Sequence, residues 1–258
     1  MINSEGNAGQ PAKKVLKLDK VCKRFGGVVA ANDISIELFP GEVLGLIGPN
    51  GAGKSTIINL ITGVYQVNDG KIFIEGKDIT KAPAHTRARE GITRTFQHPH
   101  LLQRSDIATN IFLGMDLARK KDNRMQTGEY KELLDRLLQV SGLDDLDFDD
   151  GIGRLSYGEQ KLLETVRAIL SRPKVLLLDE PAAGLNQREL EKIKALVRIA
   201  LDMDAAVLFI EHRMDLVMSI CHRITVLNFG NLIAEGTPTE IQENPVVIEA
   251  YLGRKRGA

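Results

Sequence analysis

Polar and apolar positions change rhythm several times along the chain, and each rhythm predicts a different element. Residues 15–40 alternate apolar with polar and are rich in β-branched side chains, the pattern of half-buried antiparallel strands. "GEVLGLIG" at 41–48 is a short apolar run that predicts a buried strand entering a loop, and 54–64 continues as a helix. "GKIFIEG" at 70–76 alternates again and predicts a hairpin strand. From about 99 to 171 the helical period takes over; in "GEYKELLDRLLQV" Leu133, Leu134, Leu137 and Leu138 fall on one face. "KVLLLDEP" at 174–181 and "AAVLFIEH" at 205–212 read as two more buried strands. Buried strands alternating with helices predict an α/β fold with a parallel core. The expected organisation is a mobile N-terminal tail over 1–14 and an α/β core with an antiparallel β region over 15–98 and 172–253. A helical subdomain is inserted over 99–171, and 254–258 form a basic tail.

Composition narrows the class. A hydrophobic content of 43% supports a sizeable core and excludes a disordered chain. The 34 basic and 34 acidic side chains cancel, which argues against a dedicated nucleic-acid binder. Cys22 and Cys221 form no CxxC pair, so they read as free thiols in a reducing compartment. The first dozen residues have no apolar core and read as no signal peptide. The longest apolar run, 205–210, is far below the roughly 20 residues of a spanning helix. The expectation is a chain that is soluble or reaches a membrane only through a partner. The acidic run "DDLDFDD" at 144–150 reads as a solvated connector, not a metal site.

The chemistry begins at "GPNGAGKST", Gly48, Pro49, Asn50, Gly51, Ala52, Gly53, Lys54, Ser55 and Thr56. It fits G-x-x-x-x-G-K-[ST] between a predicted strand and a predicted helix, the context that motif requires. The glycines let backbone amides curl around phosphate oxygens, and the helix N-terminus adds partial positive charge. Lys54 reaches the β- and γ-phosphates and Ser55 ligates Mg²⁺. "VLLLDEP" puts Asp179 and Glu180 at the carboxyl end of a buried strand, where ligands of such sheets bind. Asp179 is the candidate Mg²⁺ holder and Glu180 the candidate base that polarises the attacking water. His212 leaves the same sheet edge and is a candidate donor to the γ-phosphate; His85, His98, His100 and His222 default to surface or packing roles. Gln97 in "RTFQHPHLL" is a candidate contact for Mg²⁺ or water. Phe25 in "KRFGG" is either an adenine-stacking ring or a core phenylalanine.

"RLSYGEQK" at 154–161 contains Ser156 and Glu159 in the S-x-x-E spacing of a capping box, followed by an apolar stripe at Leu162, Leu163, Val166 and Ile169. A helix therefore starts at Ser156. Its free amides, the serine hydroxyl and the close approach allowed by Gly158 make a second anion-binding end. An ordinary capped helix accounts for Ser156 and Glu159 but leaves Gly158 at a propensity cost of roughly 1 kcal/mol.

Together these residues resemble the ATP-binding cassette ATPases, over about residues 15–253. "GPNGAGKST" is similar to the family's Walker A, "LLLDE" to its Walker B and "LSYGEQ" to its signature motif. Gln97 matches the Q-loop, "AAGLN" at 182–186 the D-loop, His212 the switch histidine and Phe25 the adenine-stacking aromatic. The resemblance implies ATP and Mg²⁺ as ligands. It also implies head-to-tail dimerisation with a second ATPase subunit, so that Ser156 and Gly158 face the partner's nucleotide. "RTFQH", "DEPAAGLN" and "EGTPTEIQENPVVIEAYLG" resemble the ATPases of branched-chain amino acid importers. Those work with a second, different ATPase, two transmembrane permeases and a periplasmic solute-binding protein, at the cytoplasmic face of the inner membrane and without nucleic acid. The chain departs from the usual pattern at Tyr157 (usually glycine), Glu159 (often glutamine), Asn186 (usually aspartate) and Arg213 (aspartate in this branch). Two other readings compete. A soluble cassette ATPase usually carries two cassettes or a coiled-coil insertion, and a small-molecule kinase has no signature motif.

Overall fold

The computed structural model describes residues 13–121 and 127–252. The expected tails lie outside it, apart from Lys13 and Lys14, which pair with Glu75 at 3.6 Å and Glu37 at 2.6 Å. In chain order the strands are β1 (Leu16–Phe25), β2 (Val28–Leu38), β3 (Val43–Ile47), β4 (Asp69–Ile74) and β5 (Lys77–Asp78). They continue as β6 (Ile92–Arg94), β7 (Val175–Asp179), β8 (Ala206–Ile210), β9 (Arg223–Asn228) and β10 (Asn231–Gly236). The helices are α1 (Lys54–Thr62), α2 (Ala84–Glu90), α3 (Ile107–Lys121), α4 (Thr127–Ser141) and α5 (Tyr157–Leu170). After them come α6 (Gln187–Asp202), α7 (Met214–Ile220), α8 (Pro238–Glu243) and α9 (Pro245–Leu252).

The strands form two sheets. The alternating segments build an antiparallel sheet in the order β2-β1-β4-β5, with Leu16 opposite both Leu38 and Ile74. The continuous apolar runs build a second sheet in the order β10-β9-β3-β8-β7-β6, parallel except for β10. Full burial of β3, β7 and β8 is the reason their sequences do not alternate. The period of two survives in which face each residue serves. Val43, Ile47, Leu176, Leu178, Val207 and Phe209 enter the core shared with α5 and α6. Leu44, Leu46, Val175, Leu177, Leu208 and Ile210 enter the core shared with α1 and the antiparallel sheet. At roughly 25 cal/mol per Å² of apolar area removed from water, these two cores supply the main force holding the sheets together.

Helices fill the middle of the chain. Leu137 and Leu138 of α4 are buried, and Leu133 and Leu134 pack at the edge of the same core. The acidic run at 144–150 differs from a purely solvated connector. Leu146 and Phe148 pack against the core, and the carbonyls of Phe148 and Asp150 accept the N–H groups of Ala108 and Ile107. The run therefore docks on the first turn of α3, where backbone donors need partners. His222 accepts from Val43 N through Nδ1 at 3.0 Å and has a packing role. No helix among the described residues is long and apolar enough to cross a membrane.

Candidate functional site

The sheet delivers its chemistry at the carboxyl ends of β3, β7 and β8. The loop after β3 needs glycine at two points. Gly48 has φ +154°, and a Cβ there would lie 2.2 Å from the carbonyl oxygen of Leu227. Gly53 has φ +109°, and a Cβ there would lie 2.3 Å from the carbonyl oxygen of Ala30. Both positions favour glycine by backbone conformation and by space. Gly53 caps α1 without a side-chain bond to the first-turn amides. Lys54 is buried and donates to the carbonyls of Gly48 at 2.7 Å and Pro49 at 3.0 Å. Burial pulls its ammonium pKa below the ordinary lysine value, and the nearby Glu180 and Asp179 carboxylates oppose that shift. A cleft of ≈ 310 Å³ opens over the loop. Val28, Val29 and Ala30 form one wall, residues 50–56 the floor, and Glu180, His212 and Phe229 the remainder.

Glu180 is the centre of the arrangement. Its backbone is left-handed, with φ +47°, an unusual state for a residue with a Cβ. Gln97 Nε2 donates to Glu180 Oε2 at 2.8 Å, and His212 Nε2 lies 2.8 Å from Glu180 Oε1. Three residues picked from separate motifs therefore meet on one carboxylate. The Glu180 main chain is held as firmly: its N–H donates to Ile210 O at 2.9 Å, and its carbonyl accepts from Lys161 Nζ at 2.6 Å. Lys161 is buried, which lowers its pKa, while Glu211, Glu164, Glu180 and Asp179 oppose the shift. Glu211, also buried, accepts from Ala182 N at 2.6 Å. Asp179 at the end of β7 is paired with Arg94 at 2.8 Å, and Arg94 also donates to Asn59 Oδ1 at 2.7 Å. The sequence alone assigns no role to Arg94, Lys161 or Glu211. Arg94 lies on a strand of three residues, too short to show a period, and the other two meet Glu180 and Ala182 only through the fold.

Ser156 caps α5 as the S-x-x-E spacing predicts. Ser156 Oγ accepts from Glu159 N at 3.3 Å, and Glu159 Oε2 accepts from Ser156 N at 2.8 Å. Gly158 has a reason inside the chain that the sequence did not reveal: a Cβ there would lie 2.0 Å from Glu189 Oε1 of α6. The close approach at 158 is that of the Glu189 carboxylate, the movable end of a side chain on α6. Asn186 caps α6, accepting from Arg188 N at 2.9 Å and Glu189 N at 3.1 Å, a task aspartate would perform equally well. Arg213 pairs with Asp215 at 2.8 Å. Phe25 stands 43% exposed at the end of β1, its ring edge-on to Tyr65 at 5.1 Å. Phe25, Ser156 and Gly158 are not among the residues lining the cleft of Lys54 and Glu180.

A glycine-formed loop, a buried lysine and carboxylates at the ends of parallel strands define the phosphate-loop nucleoside triphosphatases. The family described as ABC transporter matches residues 31–183, and one described as branched-chain amino acid ATP-binding cassette transporter matches 231–256. The chain is 38% identical over 253 residues to the high-affinity branched-chain amino acid transport ATP-binding protein BraF of Pseudomonas aeruginosa, covering 94% of this chain and 99% of that protein. It is 37% identical over 258 residues to the corresponding LivG of Escherichia coli K12, with the same coverage. A crystal structure of an ABC transporter's ATP-binding cassette in its ADP conformation superposes with a TM-score of 0.80 at 32% identity, covering 93% of this chain and 99% of that one. A nucleotide-free cassette gives 0.79 at 33%, again over 93% and 99%. The chain belongs to the ABC transporter family. It is an ATP-binding cassette, an ATPase coupled to transport.

Proposed function

We propose that this chain powers a branched-chain amino acid importer, acting head to tail with a second ATP-binding subunit at the cytoplasmic face of the inner membrane. Two permeases anchor the pair, a periplasmic solute-binding protein feeds them, and no nucleic acid takes part. The observation that carries the reading is the convergence of Gln97 and His212 on Glu180 above the Lys54 loop. Near-complete alignment with branched-chain amino acid transport ATP-binding proteins supports the choice of solute.

The residues fit ATP with magnesium. Crowding at Gly48 and Gly53 keeps side chains out of the cradle, so that residues 50–56 meet phosphates through backbone N–H groups. Ser55 Oγ, the Asp179 carboxylate and the Gln97 side-chain oxygen would supply the oxygen donors that a hard divalent cation takes. Magnesium, when bound, neutralises charge on the β- and γ-phosphates. Lys54 orients the same phosphates, and Phe25 supplies a ring for the adenine. Glu180 accepts a hydrogen bond from the water that attacks the γ-phosphorus as the bond to the ADP oxygen breaks. Gln97 and His212 each hold one Glu180 oxygen, and each carboxylate oxygen keeps a second lone pair for the attacking water. The Gln97 amide would offer its oxygen to a bound cation, and His212 would donate to the γ-phosphate. Ser156 and the N–H of Gly158 serve the partner's nucleotide. Residues 15–98 and 172–253 act as the nucleotide-binding core, and the helical segment 99–171 passes the closing movement to the permeases.

The test is isolation of the native complex from membranes and its reconstitution in vesicles. Two permeases and a second ATP-binding subunit should co-purify, and ATP-driven leucine uptake should vanish with Glu180→Gln. A complex without membrane subunits, or one that leaves leucine outside the vesicles, refutes the proposal.

A further inference from the structure

Gln97 lies on the loop 95–100, and side chains of a single helix hold that loop. Tyr157 Oη donates to the carbonyl of Gln97 at 3.1 Å. Glu164 accepts from the N–H of Phe96 at 3.3 Å and of His100 at 2.9 Å. Arg167 donates to the carbonyl of His100 at 2.6 Å. The spacing 157, 164, 167 puts all three on one face of α5. Glu164 is only 2% exposed, and Arg167 beside it at 3.8 Å offsets its charge. The backbone on both sides of Gln97 is thus tied to the helix that Ser156 caps.

Tyr157 has a second contact that Glu164 and Arg167 lack. Its ring packs on Gly184, where a Cβ would lie 2.8 Å from the ring carbon Cε1. Gly184 has φ +77° and sits in the turn between Glu180 and the α6 cap Asn186. One side chain therefore touches the Gln97 loop with its hydroxyl and the 182–186 turn with its ring. Burial and the Glu164 carboxylate push the phenol pKa up, so the hydroxyl stays a donor.

We propose that Tyr157 is a positioning residue for ATP hydrolysis, whose bridge from Gln97 O to Gly184 carries the position of the Gln97 loop to the 182–186 turn and to the capped end of α5. A glycine at 157 would make neither contact. The proposal rests on the reading that Gln97 and Glu180 share the nucleotide site.

The test uses the full chain, with ATP and magnesium as the probe. In the wild type, ATP should change hydrogen exchange at both 95–100 and 182–186. Tyr157→Phe keeps the ring and loses the hydroxyl. It should retain the response at 95–100 and lose that at 182–186, with KM for ATP unchanged. Its kcat should fall about three- to tenfold, the worth of one neutral hydrogen bond. In a Gln97→Ala background the same substitution should cost nothing further. A wild type without an ATP response at 182–186, a Tyr157→Phe chain that keeps it, or an equal loss of kcat in both backgrounds overturns the relay. Failure of the underlying site reading is distinguishable, because the wild type would then neither hydrolyse ATP nor respond at 95–100.

Discussion

Gly158→Ala separates two reasons for a glycine in the first turn of α5. The added methyl would lie 2.0 Å from Glu189 Oε1 and 2.5 Å from the Glu189 carboxyl carbon, so that carboxylate must swing away. Doing so breaks its bond from Asn186 N, 2.8 Å long and exposed, at a cost of about 1 kcal/mol. Alanine returns about 1 kcal/mol of helix propensity relative to glycine. The two terms nearly cancel, and the melting temperature should move by less than about 4 °C for a chain of this size. Turnover should suffer far more than stability. The bond that breaks fixes Asn186 and the turn before it, and an ångström of misplacement near a reacting centre costs up to about 10²-fold. With Glu189→Ala in place the methyl meets no carboxylate, so Gly158→Ala should then change turnover little. The assay is a cycle of four chains, each measured for ATP turnover and for thermal unfolding. If Gly158→Ala is equally costly with and without Glu189, the glycine serves something other than the packing of α5 on α6, and the reasoning fails.

Glu180→Gln should retain ATP binding, abolish turnover and accumulate as an ATP-bound dimer in size-exclusion chromatography; turnover at the wild-type rate would remove Glu180 from the base role. Lys54→Ala and Ser156→Arg chains should each be inactive, yet a mixture should regain part of the ATPase activity, because a mixed dimer pairs one intact Lys54 with one intact Ser156. No recovery in a mixture whose mixed dimers are verified by cross-linking counts against head-to-tail sharing. Burial raises the Glu164 pKa above 4.5, so the native chain holds that proton to higher pH than the unfolded chain. Stability should therefore fall as pH rises from 4.5 through the raised value, and Glu164→Gln should remove that contribution to the slope; urea unfolding across this range with identical slopes for both chains would refute it.

What could be read in the sequence was whatever a short stretch dictates by itself. The S-x-x-E cap at 156–159 formed the bonds its spacing implies, and the same signal stands at Asn186 with Glu189 and at Thr237 with Glu240. The apolar runs gave β3, β7 and β8, and with them the edge where Lys54, Asp179, Glu180 and His212 gather. β6 has three residues, too few for any period, so the strand bearing Arg94 stayed hidden. The α5 helix marks the physical limit. Its apolar stripe at Leu162, Leu163, Val166 and Ile169 predicts a helix with one face in the core and the opposite, charged face in water. That opposite face is also covered, by the 95–100 loop and by the backbone of Glu180, so Lys161 and Glu164 are buried as completely as the leucines. A charged face looks the same in a sequence whether water or another backbone covers it. The difference is set by segments some 20 to 70 residues away, Glu180 on one side and residues 96–100 on the other. Buried charges persist only when they are paired or hydrogen-bonded, so each of these side chains has to find a partner across the fold. Residues that perform chemistry must face a ligand in a fixed local context and leave a motif. Residues that hold them in place need only a partner somewhere in space, and a helix covered on both faces is where they collect.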